Sequence, residues 1–169
     1  NILGIPNSRI GVLNIGEEAG KGNELAKGAY KLLASHNDQL NFIGNVEGKE
    51  LFSGAADVVV CDGFVGNVTL KVIEGVASMI FKALKQEFAN SLLAKIGAFI
   101  AMPALKGLRK RTNYEEYGGA LLLGVKGITI IAHGRSNATA IKNAIRVAKE
   151  AVDTDINGKI AALYEQNRL

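Results

Sequence analysis

Three consecutive valines between Asp57 and Cys61 stop at a polar, glycine-bearing segment that leads into a long apolar stretch, and this arrangement sets the strongest constraint on the chain. A short uninterrupted β-branched run reads as a strand buried on both faces, the kind found in parallel sheets. The pattern recurs. Residues 9–15 (RIGVLNI) form a similar run ending at Gly16, a polar glycine loop follows at 17–23, and residues 24–35 carry Leu25, Ala29, Leu32 and Leu33 on one helical face. Residues 41–46 (NFIGNV) predict another strand, followed by a helical turn at 50–53. The strand at 57–61 passes through the segment 62–67 into a helix expected over about 68–88. Later, 128–132 (ITIIA) precede His133-Gly134-Arg135-Ser136 and a helix over 137–153, and 156–169 predict a last helix. Strand, loop and helix in repetition with short connections predict βα units, an α/β fold with a largely parallel sheet.

The 169 residues suffice for one domain with a sizeable core, and 48% hydrophobic residues with a mean hydropathy of +0.15 exclude a disordered chain. A single cysteine, Cys61, excludes a disulfide scaffold and a Cys-rich metal site. His36 and His133 lie far apart in sequence, so no metal is expected. No run of 18 apolar residues occurs, which predicts no transmembrane helix, and the N-terminus lacks a signal-peptide pattern. A reducing, intracellular setting is the expectation. The chain opens without Met and runs almost directly into a core strand, so it reads as a piece of a longer protein.

The net charge of +4 is concentrated. Residues 82–111 hold seven basic groups (Lys82, Lys85, Lys95, Lys106, Arg109, Lys110, Arg111) against one acid, Glu87, a local +6 on a slightly acidic body. Within this stretch, residues 90–108 predict two helical pieces with Pro103 near their junction. Residues 96–105 (IGAFIAMPAL) carry no charge between Lys95 and Lys106. Three readings stand side by side: a packed helical hairpin, a dimer interface, or an amphipathic tip lying on an anionic membrane. Nucleic acid is not the expected partner, because an uncharged Ile/Phe/Met/Leu tip suits acyl chains better than phosphates. Ten such residues in a helix span about 15 Å, half a bilayer core, so insertion would be shallow. Residues 114–119 predict a turn and 120–125 a strand or buried loop.

In a parallel α/β sheet, ligands sit at the C-terminal ends of strands. Four segments fall there: 14–23, 62–67, 117–119 and 133–136. The run Asp62-Gly63-Phe64-Val65-Gly66-Asn67 is the best candidate for backbone anion binding, since glycine turns at helix N-termini present N–H groups. Asn67 equally suits the N-cap of its helix. Glu17, Glu18 and Lys21 read as either a solvated loop or a site. His133 reads as either a structural histidine or an acid–base group. Cys61 is expected to be a buried small hydrophobe, and Lys71 and Glu74 an ordinary helical pair. There is no GxGxxG after a strand, no GxxxxGK[ST] and no GxSxG. No cofactor is indicated.

Taken together, RIGVLNIGEEAGKGNE, NFIGNVEGKEL, ADVVVCDGFVGNVTLKVIEG, YEEYGGALLLGVKG and IAHGRSNATAIKNAI resemble, in order, the C-terminal half of the bacterial phosphate acyltransferase (PlsX) family. The resemblance covers residues 6–152 and implies several things. The fold is that of the isocitrate dehydrogenase and phosphate acetyltransferase group, doubly wound and assembled as a homodimer, with residues 82–111 as a projecting amphipathic hairpin. The whole of 1–169 corresponds to the C-terminal half, and the N-terminal half is absent. The implied activity moves a fatty acyl group from acyl-acyl-carrier-protein to inorganic phosphate, giving acyl phosphate for phospholipid synthesis. The implied location is cytoplasmic, peripherally on the inner face of the cell membrane, with the downstream membrane glycerol-3-phosphate acyltransferase as a partner.

The resemblance also carries residues. Asn14, Gly16, Glu17, Lys21, Gly22 and Asn23 match its first motif in this half, and Asp62, Gly63, Gly66 and Asn67 the second. Tyr117, Gly118, Gly119 and Ala120 match the third, and His133, Gly134 and Ser136 the fourth. On this reading the backbone of 63–67 and the Asn67 side chain bind phosphate or the thioester oxygen, Lys21 offsets phosphate charge, and His133 orients a group or assists proton transfer. Ile96, Phe99, Ile100, Met102, Leu105, Lys106 and Arg109 would meet the membrane. A phosphotransacetylase-like enzyme using acyl-coenzyme A and a non-catalytic membrane-binding module are the rival readings.

Overall fold

The computed structural model describes residues 4–112 and 118–166, which form two compact units, one of Ile5–Val76 and one from Ala77 onward. The first unit is built on a three-stranded parallel sheet in the order β2-β1-β3, with β1 Arg9–Asn14, β2 Asn41–Glu47 and β3 Val58–Val60. Between β1 and β2 lies α1, Glu24–Ser35, which packs against both strands. Its boundaries follow from local chemistry. Asn23 caps its start by accepting from the Ala26 N–H at 2.8 Å, and the His36 N–H donates to the Leu33 carbonyl at its end. Tyr30 of α1 meets Phe42 of β2 edge to face, with ring centroids 5.2 Å apart. Val12 and Val46 are the fully buried side chains of this unit.

The register between β1 and β2 slips between Ile10 and Gly11. Gly11 is required there, because a Cβ would overlap Val46 Cγ2 and stand 3.3 Å from the Gly44 carbonyl oxygen. At the N-terminal edge of the sheet, Arg9 donates from Nε and Nη2 to the two Asp57 carboxylate oxygens at 3.0 and 2.9 Å, and its backbone N–H donates to the same carboxylate. These bonds hold the Asp57 carboxyl at about 2. The pair therefore ties the start of β1 to the entry of β3 at any ordinary pH. Because the carboxyl is depressed in the fold, its contribution fades only as pH falls below the usual carboxylate range.

Beyond β3 the chain enters α2, Gly63–Ala89, and after Asn90 and Ser91 it enters α3, Leu92–Thr112. The second unit also holds β4 Ala120–Leu121, β5 Ile130–Ile131, α4 Ala138–Asp153 and α5 Ile156–Gln166. Its core is small: Ala140, Ala144 and Ala151 line the buried stripe of α4, which packs on β4 and β5. Asn137 caps α4 by accepting from the Ala140 N–H at 3.0 Å.

Four expectations need correction. The later strands do not extend a parallel sheet; β4 and β5 form an antiparallel pair, Ala120 opposite Ile131. Helix α2 starts at Gly63 rather than Val68, because the Asp62 carboxylate caps it there. Helix α3 runs unbroken through Pro103, which removes one helical N–H without ending the helix. Cys61 is exposed rather than buried, since β3 ends one residue before it; partial burial and Asp62 push its thiol up.

A fifth concerns membranes. Helix α2 is long and apolar enough to cross one by length and composition, although no transmembrane helix was expected. Its residues 63–80 carry only Lys71 and Glu74, which break the uninterrupted apolar run and pair with each other at 2.9 Å. None of the α2 residues is buried, so the helix presents Phe64, Val68, Val72, Val76 and Met79 on its surface.

Candidate active site

Because β1 and β3 are parallel neighbours, the loop 15–23 and the start of α2 open at the same edge of the sheet. The loop is held from inside. Asn14, the last residue of β1, donates from Nδ2 to the Lys21 carbonyl and to Asn45 Oδ1, both at 3.0 Å, while its Oδ1 accepts from the Ile15 N–H at 2.8 Å. Asn45 is buried on β2 and donates to the Glu18 carbonyl at 2.8 Å. Gly22, at φ +88°, passes so close over Asn14 that a Cβ would stand 2.9 Å from its Cγ. Gly16 is buried because the Lys21 stem crosses it; a Cβ there would meet Lys21 Cγ at 2.9 Å.

These constraints leave Lys21 exposed at the mouth of the loop, in no ion pair among the described residues, and so able to meet an anion. Glu17 is exposed too, 3.8 Å from Lys49 Nζ, and Lys49 also pairs with Glu47. Glu17, Glu47 and Glu50 converge there, but the Lys49 ammonium lies against two of these carboxylates, and its own proton is held more tightly for it. Asn23 is accounted for as the cap of α1.

At the α2 end the helix N-terminus is already occupied. Asp62 Oδ1 accepts from the Phe64 and Val65 N–H groups, both at 2.9 Å, and the Asp62 carbonyl accepts from Gly66 N–H. A carboxylate thus stands where the backbone of 63–67 was expected to receive phosphate, and it offsets the positive end of the helix dipole. Asn67 is not the cap; it is the fifth residue of α2, with its side chain exposed. Gly63 has open space around it, whereas Gly66 is packed against Cys61, where a Cβ would lie 2.9 Å from Sγ.

In the second unit, β4 begins where β5 ends, so the antiparallel pairing still brings Gly118 and Gly119 to the same end as His133. Tyr117 lies outside the described residues. Gly118 is buried at φ +81°, and a Cβ would overlap the backbone of Asn143 and Ala144 in α4. Gly119 stands against β5, a Cβ there lying 2.6 Å from the Ile131 carbonyl oxygen. Both glycines are explained by close packing. His133 opens a tight turn: its Nδ1 accepts from the Arg135 N–H at 3.1 Å, and its carbonyl accepts from Ser136 N–H at 2.9 Å and Ser136 Oγ at 2.6 Å. The Ser136 hydroxyl is thereby committed to the turn.

On α3, Ile96, Phe99, Ile100, Met102 and Lys106 are exposed, Phe99 at 79% and Ile100 at 74%, and Leu105 is half-buried. The Arg109 side chain lies outside the described residues. Asn45 was missed as a site residue. The signal that could have found it is an amide in an apolar strand beside a glycine.

A family model described as "Fatty acid synthesis protein" matches residues 1–159. Curated proteins similar to this chain include several named phosphate acyltransferase. A phosphate acyltransferase of Thermodesulfovibrio yellowstonii is 56% identical over 158 residues, 94% of this chain and 45% of that protein. Those of Heliobacterium modesticaldum and Halothermothrix orenii are 55% and 53% identical over 97% and 95% of this chain, each aligned over 48% of its own length. This chain belongs to the phosphate acyltransferase family. It spans about half the length of the curated relatives it matches. In the first unit, the loop after β1 and the start of α2 leave polar side chains, Lys21 and Asn67 among them, exposed at the sheet edge.

Proposed function

We propose that the complete protein containing these residues transfers a fatty acyl group from acyl-acyl-carrier-protein to inorganic phosphate, releasing acyl phosphate for phospholipid synthesis. The observation that carries this reading is the loop after β1, whose hydrogen bonds expose the Lys21 ammonium at the C-terminal edge of a parallel sheet. A phosphate oxygen attacks the thioester carbonyl, the tetrahedral oxyanion collapses, and the C–S bond breaks as the carrier's thiolate leaves and takes up a proton. Phosphate is nucleophilic enough that no covalent enzyme intermediate is needed. Lys21 offsets phosphate charge during the approach of two electron-rich groups, and the Asn67 amide donates to phosphate or to the thioester oxygen. The family resemblance further assigns His133 the role of orienting a group or assisting proton transfer. Asn14 shapes the loop, and Asp62 serves as cap rather than as an anion ligand.

The test is acyl-phosphate formation by the complete protein with acyl-acyl-carrier-protein and phosphate. Turnover with short acyl-coenzyme A and none with the carrier-bound donor would transfer the assignment to a phosphotransacetylase-like enzyme. Stable folding without turnover on either donor would leave a binding module.

The same reading places the protein in the cytoplasm as a homodimer of doubly wound subunits, bound peripherally to the inner face of the membrane through a hairpin at 82–111. The exposed Phe99 and Ile100 between flanking basic residues support it, as does the insolubility of a long-chain acyl phosphate, which favours handing the product to a membrane glycerol-3-phosphate acyltransferase. Replacing both Phe99 and Ile100 by Asp is expected to abolish flotation with anionic vesicles, and added salt to weaken wild-type binding. Equal flotation of the two proteins would reject shallow insertion.

A further inference from the structure

We infer that Asn45 is a positioning residue for the proposed transfer, acting through the loop that carries Lys21; the inference rests on the reading of that loop as part of the active site. A side-chain amide buried in a strand costs free energy unless its donors and acceptor are met. Asn45 is 8% exposed and fully used: Oδ1 accepts from Asn14 Nδ2, and Nδ2 donates to the Glu18 carbonyl. Every one of those bonds is directed at the loop or at its hinge. None serves the sheet ladder, in which Asn45 stands opposite Val12.

The two asparagines therefore form a latch between adjacent strands. Asn45 fixes the orientation of the Asn14 amide, and Asn14 in turn fixes the Lys21 carbonyl at 3.0 Å. Glu18, held by Asn45, closes the turn by accepting the Lys21 N–H at 3.0 Å. Lys21 is thus secured through both of its backbone polar groups, one by way of Asn14 and one by way of Glu18, and both routes converge on Asn45. Gly22 permits the chain to pass over the latch on its way to α1. A hydrophobic residue at 45 would fill the strand equally well but would release Lys21.

The experiment uses the complete phosphate acyltransferase, with inorganic phosphate as the varied substrate. Asn45→Ala is expected to raise KM for phosphate and to lower kcat/KM by up to about 100-fold, the scale of a small misplacement of a reacting group. Amide hydrogen exchange over residues 16–21 should quicken, while exchange in α1 stays as in the wild type. In the Lys21→Ala background the same substitution should add less than about 2-fold, because its target is gone. A lowered Tm with unchanged KM, or losses that multiply in the double variant, would overturn the positioning role while leaving the site intact. Wild-type activity in Lys21→Ala would overturn the site reading itself, and the positioning role with it.

Discussion

Gly118→Ala is expected to destabilise the protein by roughly 3 kcal/mol or more, combining backbone strain with overpacking. The strain arises because Gly118 sits at φ +81°, where an L side chain is disfavoured. The overpacking arises because the new methyl would enter the backbone of α4 at Asn143 and Ala144, and the hydrogen-bonded backbone of a helix cannot swing aside as a side chain tip can. Gly124 supplies the control. It has nearly the same φ, +83°, but open space around it, so Gly124→Ala should cost only the conformational part, about 1–2 kcal/mol. Urea denaturation of the complete protein measures both. Equal losses at the two positions would mean that the close approach of β4 to α4 contributes nothing.

Lys21→Ala is expected to lower kcat/KM for phosphate on the order of 100-fold while leaving the melting temperature unchanged. The magnitude is that of removing one preorganised charge or donor from a transfer site. The fold should tolerate the change because the Lys21 side chain is exposed and makes no ion pair among the described residues, while the backbone bonds to Asn14 and Glu18 survive the substitution. Lys21→Arg should recover part of the activity, since the charge returns with a different shape and reach. Steady-state assays with varied phosphate decide it. A wild-type rate in Lys21→Ala and in Asn67→Ala together would remove this edge of the sheet from the mechanism.

Local chemistry made much of the architecture legible. Helix α1 occupies residues 24–35 as expected, with Asn23 as its cap, but the face named from the leucine spacing is not buried, since Leu25 and Leu32 stand exposed. Strand β1 and helix α4 were equally readable, each to within one residue at one end, Asn137 proving to be the cap of α4 rather than its first residue. The start of α2 was not. Gly63 and Gly66 look like loop residues because glycine disfavours helix by about 1 kcal/mol each, yet the Asp62 cap, with a long apolar helix behind it, outweighs that cost. Pro103 misled in the same way, as a helix of 21 residues absorbs one missing N–H.

The site divides along the same line. Its loops and their residue types could be named from the chain, because turn glycines, caps and charges are local features. What each residue does depends on partners distant in sequence. Asn14 and Asn45 are 31 positions apart and meet only when β1 and β2 pair. Gly118 reads as a ligand-loop glycine until α4 is seen against it. Asp62 reads as part of an anion cradle until its carboxylate is found filling that place. The antiparallel β4–β5 pair stands apart from the largely parallel sheet expected, because a short apolar run specifies strand but not strand direction. Sequence by itself determined that this is an α/β chain of the phosphate acyltransferase type with glycine loops after its strands. Only the tertiary structure decided which polar groups hold those loops and which remain outward for a substrate, because hydrogen bonds between strands are made by pairing and register, which no local stretch contains.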